Sequence, residues 1–532
     1  MDNLKQTERI ADKLFRAAEA YRPFLVEERA ELEASVFEPE LPLYEPPKCG
    51  SFRRIVPGET WGRDFGYGWF RAQVRIPERF SGRAVWLERK TGGVEGLLFC
   101  DGNPIGMFDD VPLGADAVFR LHRFVRLVER AEGQSLRIDL EEYASHEFCG
   151  TMPYDGKKTF SLTALVPERV FEGLWLVIQR EEVAELLHQV RTLKGLFGAA
   201  EGNEVLRGEL LKICERAYAI LPAMPSDGYD GEGVRAANAI LSREIAGISL
   251  RGDSRYCQIG LIGHSHLDTA WLWPVEETKH KLARTVTNAV RLLNEYPEYK
   301  FLLSSAVYLK WLAECYPSLY SQVKPMIRLG RLEVNGATYV ECDCNLPSGE
   351  SLVRQFLRGQ SLFQACTGRL SDCFWLPDTF GYSASLPQIM QGCGVRYFYT
   401  TKLSWNELNR FPYESFLWEG IDGTRVTAHF NTTQVYPDAA CIRDSGDRLQ
   451  NRHLSARALA AYGYGDGGGG PDRGMVRTAL ETSRIFGEEK VCHTTVSGFM
   501  RELEQDPLPV YSGELYLELH RGTYTSQHGI KQ

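Results

Sequence analysis

The chain has 532 residues, a formal net charge of −9, 43% hydrophobic residues and 25% charged residues. These are the proportions of a globular protein and exclude wholesale disorder, and at roughly 100–200 residues per domain the length predicts about two to four domains. Because acidic residues outnumber basic ones and Lys and Arg do not cluster, the sequence argues against binding to a nucleic-acid backbone and favours a small neutral substrate.

The amino terminus predicts a charged amphipathic helix over the first twenty residues, without the apolar segment of a signal peptide. No apolar run approaches the roughly 20 residues needed to cross a bilayer. The thirteen cysteines are scattered, and they include a C-x-C at Cys342 and Cys344 but no paired C-x-x-C motifs of a zinc ribbon, which favours buried free thiols. We therefore expect a cytoplasmic protein with no membrane span.

The first domain is predicted from short apolar alternations. After a helix and a proline-rich linker over residues 1–48, runs such as Trp69–Ile76 and Leu136–Leu140 alternate in polarity, and Asp101-Gly102-Asn103-Pro104 supplies a turn between runs. This pattern predicts an antiparallel β-sandwich accessory domain over residues 49–178.

From Glu181 the apolar period changes to that of a helix, since Val183, Leu186 and Val190 follow the spacing of an amphipathic helix. The sequence therefore predicts a helical connector over residues 179–255.

Residues 256–532 alternate short apolar strands with helical stretches. The strand Gln258–Ile262 is followed by a helix at Glu276–Asn294, and further strands are predicted at Cys373–Leu376 and Arg396–Tyr399. This order predicts a multidomain α/β protein whose last domain is a parallel (β/α) barrel-like catalytic domain, with ligand-binding groups on the loops that follow the carboxyl ends of the strands.

The strongest motif is GHSHLDTAWLWP, which directly follows the strand Gln258–Ile262. His266 and Asp268 are two residues apart, so both side chains leave an extended strand end on the same side, where an imidazole and a carboxylate suit a divalent metal such as zinc. The alternative is that Asp268 or Thr269 merely caps the next helix. Two imidazoles and a carboxylate crowded at a strand end favour a ligand.

A second motif, FWLPDTFGY, places Asp378 just after the strand Cys373–Leu376. An ordinary helix cap would explain a lone Asp in such a loop. Because parallel strands present their carboxyl ends on one face, Asp378 is also expected to share a pocket with His266 and Asp268.

A third motif, YGDGGGGP, contains Asp466 as its only carboxylate. No Lys-Ser or Lys-Thr follows, which argues against a phosphate-binding loop. A flexible tether and a catalytic role for Asp466 both stay open.

Weaker candidates lie elsewhere in the same region. His429 is interpreted as a satisfied core or edge histidine, and Glu341 and Asp343 as capping and solvated residues. A half-buried strand is predicted at Glu514–Leu519, and the polar string after it, which includes Arg521 and Tyr524, indicates a substrate contact.

Six strings in this order resemble glycoside hydrolase family 38, the class II α-mannosidases, and in particular its cytosolic and bacterial branch. The strings are GHSHLDTAWLWP, VECDCNLPSGES, FWLPDTFGYSASLPQI, KLSWNELNRFP, GDGGGGP and ELHRGTYTSQ. The resemblance implies a zinc-dependent retaining α-mannosidase that releases terminal α-mannosyl residues from oligosaccharides through a covalent glycosyl-aspartate. It also implies a tendency to form homo-oligomers.

Site residues follow from the resemblance position by position. His266, Asp268 and Asp378 resemble ligands of one Zn²⁺ per chain, and Asp378 also resembles the catalytic nucleophile. Trp271 matches the aromatic residue against which the sugar packs, and Asp466 is the candidate acid/base.

One feature departs from the family pattern. The family's fourth zinc ligand is a histidine in a helical segment well downstream of the ELHRGTYT motif, and His528 does not match its position. The resemblance therefore predicts a truncated α-mannosidase whose fourth ligand lies beyond residue 532, with weakened zinc binding. Two alternatives are another metal-dependent carbohydrate hydrolase of the deacetylase type and an inactive carbohydrate-binding fragment.

Overall fold

The computed structural model describes residues 2–48, 50–63, 65–109, 122–144, 169–221, 229–271, 273–465, 467–526 and 529. The chain separates into two compact units. The first comprises residues 1–248 together with 272–274 and 283–291, and the second comprises 249–271, 275–282 and 292–532.

In the described residues, the first unit contains most of the antiparallel strands and the four helices α1 (Asp2–Ala20), α2 (Glu181–Ala199), α3 (Glu204–Ile220) and α4 (Gly231–Gly247). Its strands are β1 (Val26–Glu31), β2 (Ala34–Phe37), β3 (Arg53–Ile55), β4 (Thr60–Trp61), β5 (Tyr67–Arg75), β6 (Val85–Lys90), β7 (Glu95–Cys100), β8 (Asn103–Asp109), β9 (Phe124–Val128), β10 (Ser135–Tyr143), β11 (Arg169–Val170) and β12 (Gly173–Gln179).

These strands form a sandwich. One sheet has the order β1-β12-β6-β9 and the other β3-β2-β5-β10-β7-β8, and β4 pairs with β11. Leu87 and Leu176 from the first sheet share a buried core with Phe70 and Leu140 from the second. The alternating apolar pattern thus gives each sheet one face directed into a common core.

Two strands, β1 and β2, lie within residues 1–48, where the sequence predicts only a helix and a linker. β1 reads VEERAE and lies at the edge of its sheet, paired to β12 alone among the described strands. Edge strands tolerate charged side chains, so β1 lacks the apolar alternation by which a strand is predicted.

Several buried charges of the first unit form ion pairs. Arg284, which belongs to the stretch 283–291, is fully buried, and its guanidinium lies 3.1 Å from Glu95 Oε2 and 2.9 Å from Glu141 Oε1. Arg89 Nε lies 3.2 Å from Glu142 Oε1. Such pairing compensates the large cost of removing these charges from water.

The second unit alternates strands and helices. Its strands are β13 (Gln258–His264), β14 (Phe301–Leu303), β15 (Leu332–Val334), β16 (Cys373–Leu376), β17 (Tyr397–Thr400), β18 (Ser415–Glu419), β19 (Arg425–Phe430), β20 (Thr433–Val435), β21 (Arg457–Tyr462), β22 (Val491–His493) and β23 (Val510–Ser512). Its helices are α5 (Val275–Glu295, with 283–291 grouped in the first unit), α6 (Ala306–Cys315), α7 (Pro317–Arg328), α8 (Gly349–Thr367), α9 (Leu386–Gly392), α10 (Ala439–Asp447), α11 (Arg473–Phe486) and α12 (Val496–Leu503).

The predicted α/β architecture of this unit is confirmed, but the parallel barrel-like arrangement is not. The described strands form two sheets, β15-β14-β13-β21-β20 with β22 also on β13, and β16-β17-β19-β18-β23. In the second sheet β18 and β19 are antiparallel. The tight turn at Asp422-Gly423, where Gly423 has φ +84°, reverses the chain at once, whereas a parallel connection needs a crossover of about a dozen residues.

The two sheets share a core that positions the strand ends. Ile262 and Leu302 of the first sheet pack in one buried cluster with Trp375 and Tyr399 of the second. The rings of Trp375 and Tyr399 stack at 3.9 Å. The register of β16, β17 and β19 aligns their final residues, Leu376, Thr400 and Phe430, so the loops that follow emerge from one edge.

The predicted strand at Glu514–Leu519 is wrong. The chain forms β23 earlier, Gly513 adopts φ +114°, and Leu515 then makes a single bridge to Tyr382. Leu515 and Leu517 are nevertheless buried and Tyr516 is exposed, as the alternation predicts. The polarity pattern therefore gave the correct buried face without a continuous strand.

Among the described helices, none is long and apolar enough to span a bilayer. The described cysteines are free thiols, and Cys342 and Cys344 are buried as expected, whereas Cys492 is exposed.

Candidate metal centre and active site

The structure brings His266, Asp268 and Asp378 together. Each offers one ligand atom, and these atoms all lie within 4.8 Å of one another. His266 Nε2 is 3.6 Å from Asp268 Oδ1 and 3.3 Å from Asp378 Oδ2. The convergence predicted from two separate strand ends is therefore present.

Local packing fixes the loop that carries the first two of these residues. His264 ends β13, and its ring packs edge-on against Trp375 with ring centres 5.1 Å apart, while its Nδ1 lies 3.4 Å from the Leu302 carbonyl oxygen. The Tyr308 hydroxyl donates a hydrogen bond to the carbonyl of Leu267, the residue between His266 and Asp268. This bond restrains the backbone at the point where the two side chains must converge.

The residues present fit a bound metal ion. Neither ring nitrogen of the buried His266 makes a hydrogen bond of good geometry within the described part of the chain. Burial lowers the pKa of His266, but the carboxylates of Asp268, Asp378 and Glu341 outweigh it and raise that pKa well above its usual value. A pocket whose potential stabilises a proton on this ring also stabilises a cation beside it, and one imidazole with two carboxylates is a donor set that zinc accepts.

Glu341 belongs to this site, although the sequence assigns it to capping and solvation. Its Oε2 lies 3.7 Å from His266 Nδ1, and Ser304 Oγ donates a hydrogen bond to its Oε1 at 3.2 Å. Burial, with the nearby carboxylates of Asp268 and Asp378, raises the pKa of Glu341 to about 7, against the opposing effect of His266. The capping interpretation holds for Asp343 instead, which accepts hydrogen bonds from the N–H groups of the two residues Asn345 and Leu346.

Lys402 is the second residue that the sequence did not assign to the site. Its Nζ lies 2.6 Å from Asp378 Oδ1, and the side chain is almost fully buried. Burial raises the pKa of Asp378, but the interactions with His266 and Lys402 dominate and hold that pKa far below the usual value of an aspartate. Asp378 is thus kept ionised. The sequence signal that could have identified Lys402 is its position, because Lys402 follows β17 just as Asp378 follows the adjacent strand β16.

The other predicted site residues in the described part of the chain are Trp271, Tyr524 and Arg521, and no ion pair links them to the His266 cluster. Trp271 is 49% exposed, three residues beyond Asp268. Tyr524 donates a hydrogen bond to the carbonyl of Phe380 and accepts one from Asn345 Nδ2 at 2.8 Å, so it braces the loop that follows Asp378. The Arg521 guanidinium lies 5.4 Å from the ring centre of Tyr516.

The candidate acid/base Asp466 lies outside the described part of the chain, as does His528, which does not match the fourth ligand's position. Around Asp466, Gly467 to Gly470 all have positive φ between 67° and 131°. This backbone favours glycine at each position and indicates a defined shape rather than a simple tether.

His429 is a satisfied core histidine, as predicted. Its Nε2 accepts a hydrogen bond from the Leu459 N–H at 3.1 Å, and its Nδ1 lies 2.9 Å from Ser415 Oγ. Burial lowers its pKa to about 3, so it is neutral and structural.

The region that contains the site matches a known domain. Residues 256–514 match the Glycosyl hydrolases family 38 N-terminal domain. The part of the chain that carries the candidate site is thus a family 38 domain. His266, Asp268, Glu341, Asp378 and Lys402 all lie inside the family 38 domain, whereas Arg521 and Tyr524 follow it.

Individual relatives extend over more of the chain. It is 36% identical to alpha-mannosidase 2C1 of Homo sapiens over 514 residues, covering 94% of this chain and 47% of the human protein. It is 42% identical to alpha-mannosidase G of Dictyostelium discoideum over 490 residues, covering 89% of this chain and 43% of that protein. The chain thus spans about half the length of the curated relatives it matches.

Among solved structures, an alpha-mannosidase from Enterococcus faecalis V583 matches with a TM-score of 0.43 and 23% sequence identity. The match covers 49% of this chain and 31% of that protein.

Proposed function

We propose that this protein is a metal-dependent retaining α-mannosidase that removes terminal α-mannosyl residues from oligosaccharides. The observation that carries the proposal is the Asp378 carboxylate, which Lys402 holds ionised at the point where His266 and Asp268 converge. The relatives at 36% and 42% identity are named alpha-mannosidases, which supports this substrate class.

The roles of the protein's own residues follow from the chemistry of retaining glycosidases. One carboxylate attacks the anomeric carbon, and a second carboxyl group roughly 5–5.5 Å away protonates the leaving oxygen. Asp378 suits the first role because its low pKa keeps it anionic, and Lys402 at Oδ1 leaves Oδ2 on the side of His266. Asp466 is proposed for the second role.

The cofactor is proposed to be one Zn²⁺ held by His266, Asp268 and Asp378. When bound, the ion supplies positive charge that orients sugar hydroxyls and stabilises charge in the transition state. The histidine that the family resemblance implies as fourth ligand stays a prediction.

Trp271 is proposed to pack against the mannose ring, since a half-exposed indole near the centre offers an apolar face to a sugar. For Tyr524 the hydrogen bond to Phe380 favours support of the loop after Asp378 over direct substrate contact, whereas Arg521 stays a predicted substrate contact. The cytoplasmic location and homo-oligomer formation stay predictions from the sequence.

Hydrolysis of an aryl α-mannoside by the zinc-loaded protein tests the activity. We expect Asp378→Asn to abolish turnover, because an amide cannot form the glycosyl ester. The matched control is Asp422→Asn in the exposed β18–β19 turn, which should keep full activity. Equal turnover by Asp378→Asn and its control would overturn the proposal.

A fluorinated mannosyl fluoride separates the proposal from a metal hydrolase of the deacetylase type. A retaining mannosidase accumulates a covalent adduct, seen as a mass increase on the peptide that contains Asp378. A hydrolase that activates water forms no such adduct, so unlabelled protein that still cleaves the substrate would favour that alternative.

A further inference from the structure

The two ring nitrogens of His266 face different groups. Nε2 lies 3.6 Å from Asp268 Oδ1 and 3.3 Å from Asp378 Oδ2, whereas Nδ1 lies 3.7 Å from Glu341 Oε2. A neutral imidazole carries its single proton on one nitrogen and has a lone pair on the other. An ion held between His266 and the two aspartates therefore needs the lone pair on Nε2, which leaves the proton on Nδ1, on the side of Glu341.

Glu341 is the acceptor suited to that proton. The His266 ring is buried, and its Nδ1 makes no hydrogen bond of good geometry within the described part of the chain, although buried polar atoms are normally paired. The 3.7 Å separation from Glu341 Oε2 exceeds a hydrogen bond by roughly 0.5 Å, which a small rotation of either side chain removes. Metal-binding histidines almost always donate the other ring N–H to a carboxylate, a carbonyl or a water, and this partner fixes the tautomer and the ring orientation.

Ser304 holds the Glu341 carboxylate in the matching orientation. Ser304 Oγ donates a hydrogen bond to Oε1 at 3.2 Å, which leaves Oε2 for His266. The three residues come from neighbouring strands, because β13, which precedes His266, pairs in parallel with β14, and β14 pairs in parallel with β15. Ser304 directly follows β14, and Glu341 lies on the segment that follows β15. The same sheet edge therefore supplies the histidine, its acceptor and the hydroxyl that orients the acceptor.

The backbone that carries this glutamate is fixed on two sides. On one side the Val307 N–H, at the start of α6, donates a hydrogen bond to the Tyr339 carbonyl at 3.0 Å. On the other side Gln355 of α8 accepts hydrogen bonds from the N–H groups of Tyr339 at 3.0 Å and Val340 at 3.3 Å. A Cβ at Gly359 of α8 would lie 2.4 Å from a carbonyl oxygen of the same segment, so the helix and the segment are in close contact. The glutamate side chain therefore starts from a rigid backbone, as the outer partner of a metal ligand requires.

We propose that Glu341 is a positioning residue, which accepts the Nδ1 proton of His266 and thereby presents Nε2 to the metal ion, while Ser304 holds the carboxylate. This inference rests on the proposed function, because it takes His266 as a ligand of the ion. Glu341 acts through the imidazole, since the ligand atoms that converge within 4.8 Å among the described residues are those of His266, Asp268 and Asp378.

The zinc affinity of the full chain, measured by competition with a coloured chelator, tests the inference without turnover. Glu341→Leu, which removes the acceptor, should weaken zinc binding by about 10–100-fold. Glu341→Gln should stay within about threefold of the wild type, because its amide carbonyl still accepts the Nδ1 proton and its NH2 group can donate to Ser304 Oγ. The matched control is Asp343→Asn, which removes a charge that pairs with backbone N–H groups of the same segment, and it should leave zinc affinity unchanged. Equal affinity in Glu341→Leu and the control, or an equal loss in the Leu and Gln variants, would overturn the inference.

A double variant separates positioning from a general structural effect. In a chain that already carries His266→Ala, Glu341→Leu should weaken zinc binding by less than about twofold, because the side chain that Glu341 orients is gone. A loss of about 10-fold or more in both backgrounds would show that Glu341 supports the site independently of His266, against the inference. Hydrolysis of the aryl α-mannoside by the wild type is scored separately. A wild type that binds zinc without hydrolysing the mannoside would reject the proposed function, while the zinc affinities of the variants would still decide the role of Glu341.

Discussion

Lys402 Nζ lies 2.6 Å from Asp378 Oδ1, and this ion pair joins the loops that follow two adjacent parallel strands. The two residues stand in equivalent positions, because Leu376 at the end of β16 is in register with Thr400 at the end of β17. The Thr401 hydroxyl also donates a hydrogen bond to the Pro377 carbonyl and holds the two loops together. The register of the two strands thus places the Lys402 ammonium beside the Asp378 carboxyl and lowers the pKa of that carboxyl.

Lys402→Met should move the acidic limb of activity to higher pH. Lys402 lowers the pKa of Asp378, so its removal raises that pKa and protonates the proposed nucleophile at pH values where the wild-type carboxylate is ionised. We expect kcat/KM at its optimum to fall by about 10²-fold, typical of a lost charge-stabilising group. A pH profile of kcat/KM measures both effects, and Lys402→Arg is the matched control that keeps the charge. An unshifted acidic limb in Lys402→Met would contradict the role given to Lys402.

His266→Ala should weaken zinc binding by more than about 100-fold, since loss of even an outer partner costs 10–100-fold in affinity. Competition with a coloured chelator measures the affinity without activity. The control is His453→Ala, which removes an exposed imidazole away from the cluster. Comparable zinc affinity in the two variants would show that His266 is not a ligand.

Glu341→Gln should change how the stability of chelator-treated protein depends on pH. The folded-state pKa of Glu341 is raised from 4.5 to about 7, so its contribution to stability is present below pH 4.5 and is lost as the pH rises through 7. The amide removes this loss of up to about 3 kcal/mol at 1.36 kcal/mol per pKa unit.

Urea midpoints between pH 4 and pH 8 measure this effect of Glu341. The wild type should lose more stability over this range than Glu341→Gln, while Glu350→Gln, an exposed partner of Arg354, should follow the wild type. Parallel curves for the wild type and Glu341→Gln would show that the buried carboxyl does not titrate in this range.

Arg284→Met should destabilise the protein by about 3–5 kcal/mol, because it removes the guanidinium that lies against the buried carboxylates of Glu95 and Glu141. Urea unfolding measures the change. Replacing both glutamates by Gln in the same chain should recover much of the loss, since no uncompensated charge then stays buried.

The matched control for Arg284 is Arg354→Met. This residue forms an exposed pair with Glu350, and such pairs contribute at most about 1 kcal/mol. If the two arginine variants were equally stable, the cluster around Arg284 would contribute no more than a surface ion pair.

Helices were the elements most fully predictable from the sequence. The predicted helix at 276–294 is α5 at Val275–Glu295, and α8 begins with a local cap in which the Ser351 N–H donates a hydrogen bond to Ser348 Oγ. Helical periodicity and capping involve only residues close together in the chain, so the local sequence is enough to predict them. The charged edge strand β1 has no such local sequence signal, because it forms by pairing with β12, whose residues lie far away in the chain.

The sequence by itself determined which residues hold the candidate metal centre. His266 and Asp268 converge because a strand end directs alternate side chains to one side, and Asp378 joins them because the carboxyl ends of parallel strands meet at one edge. Only the tertiary structure decided that Glu341 lies against His266 and that Lys402 pairs with Asp378. The physical reason is that residue type and spacing predict only local geometry. Which side chains become buried, and which charges they meet, depends on the loops that the packed sheets bring together.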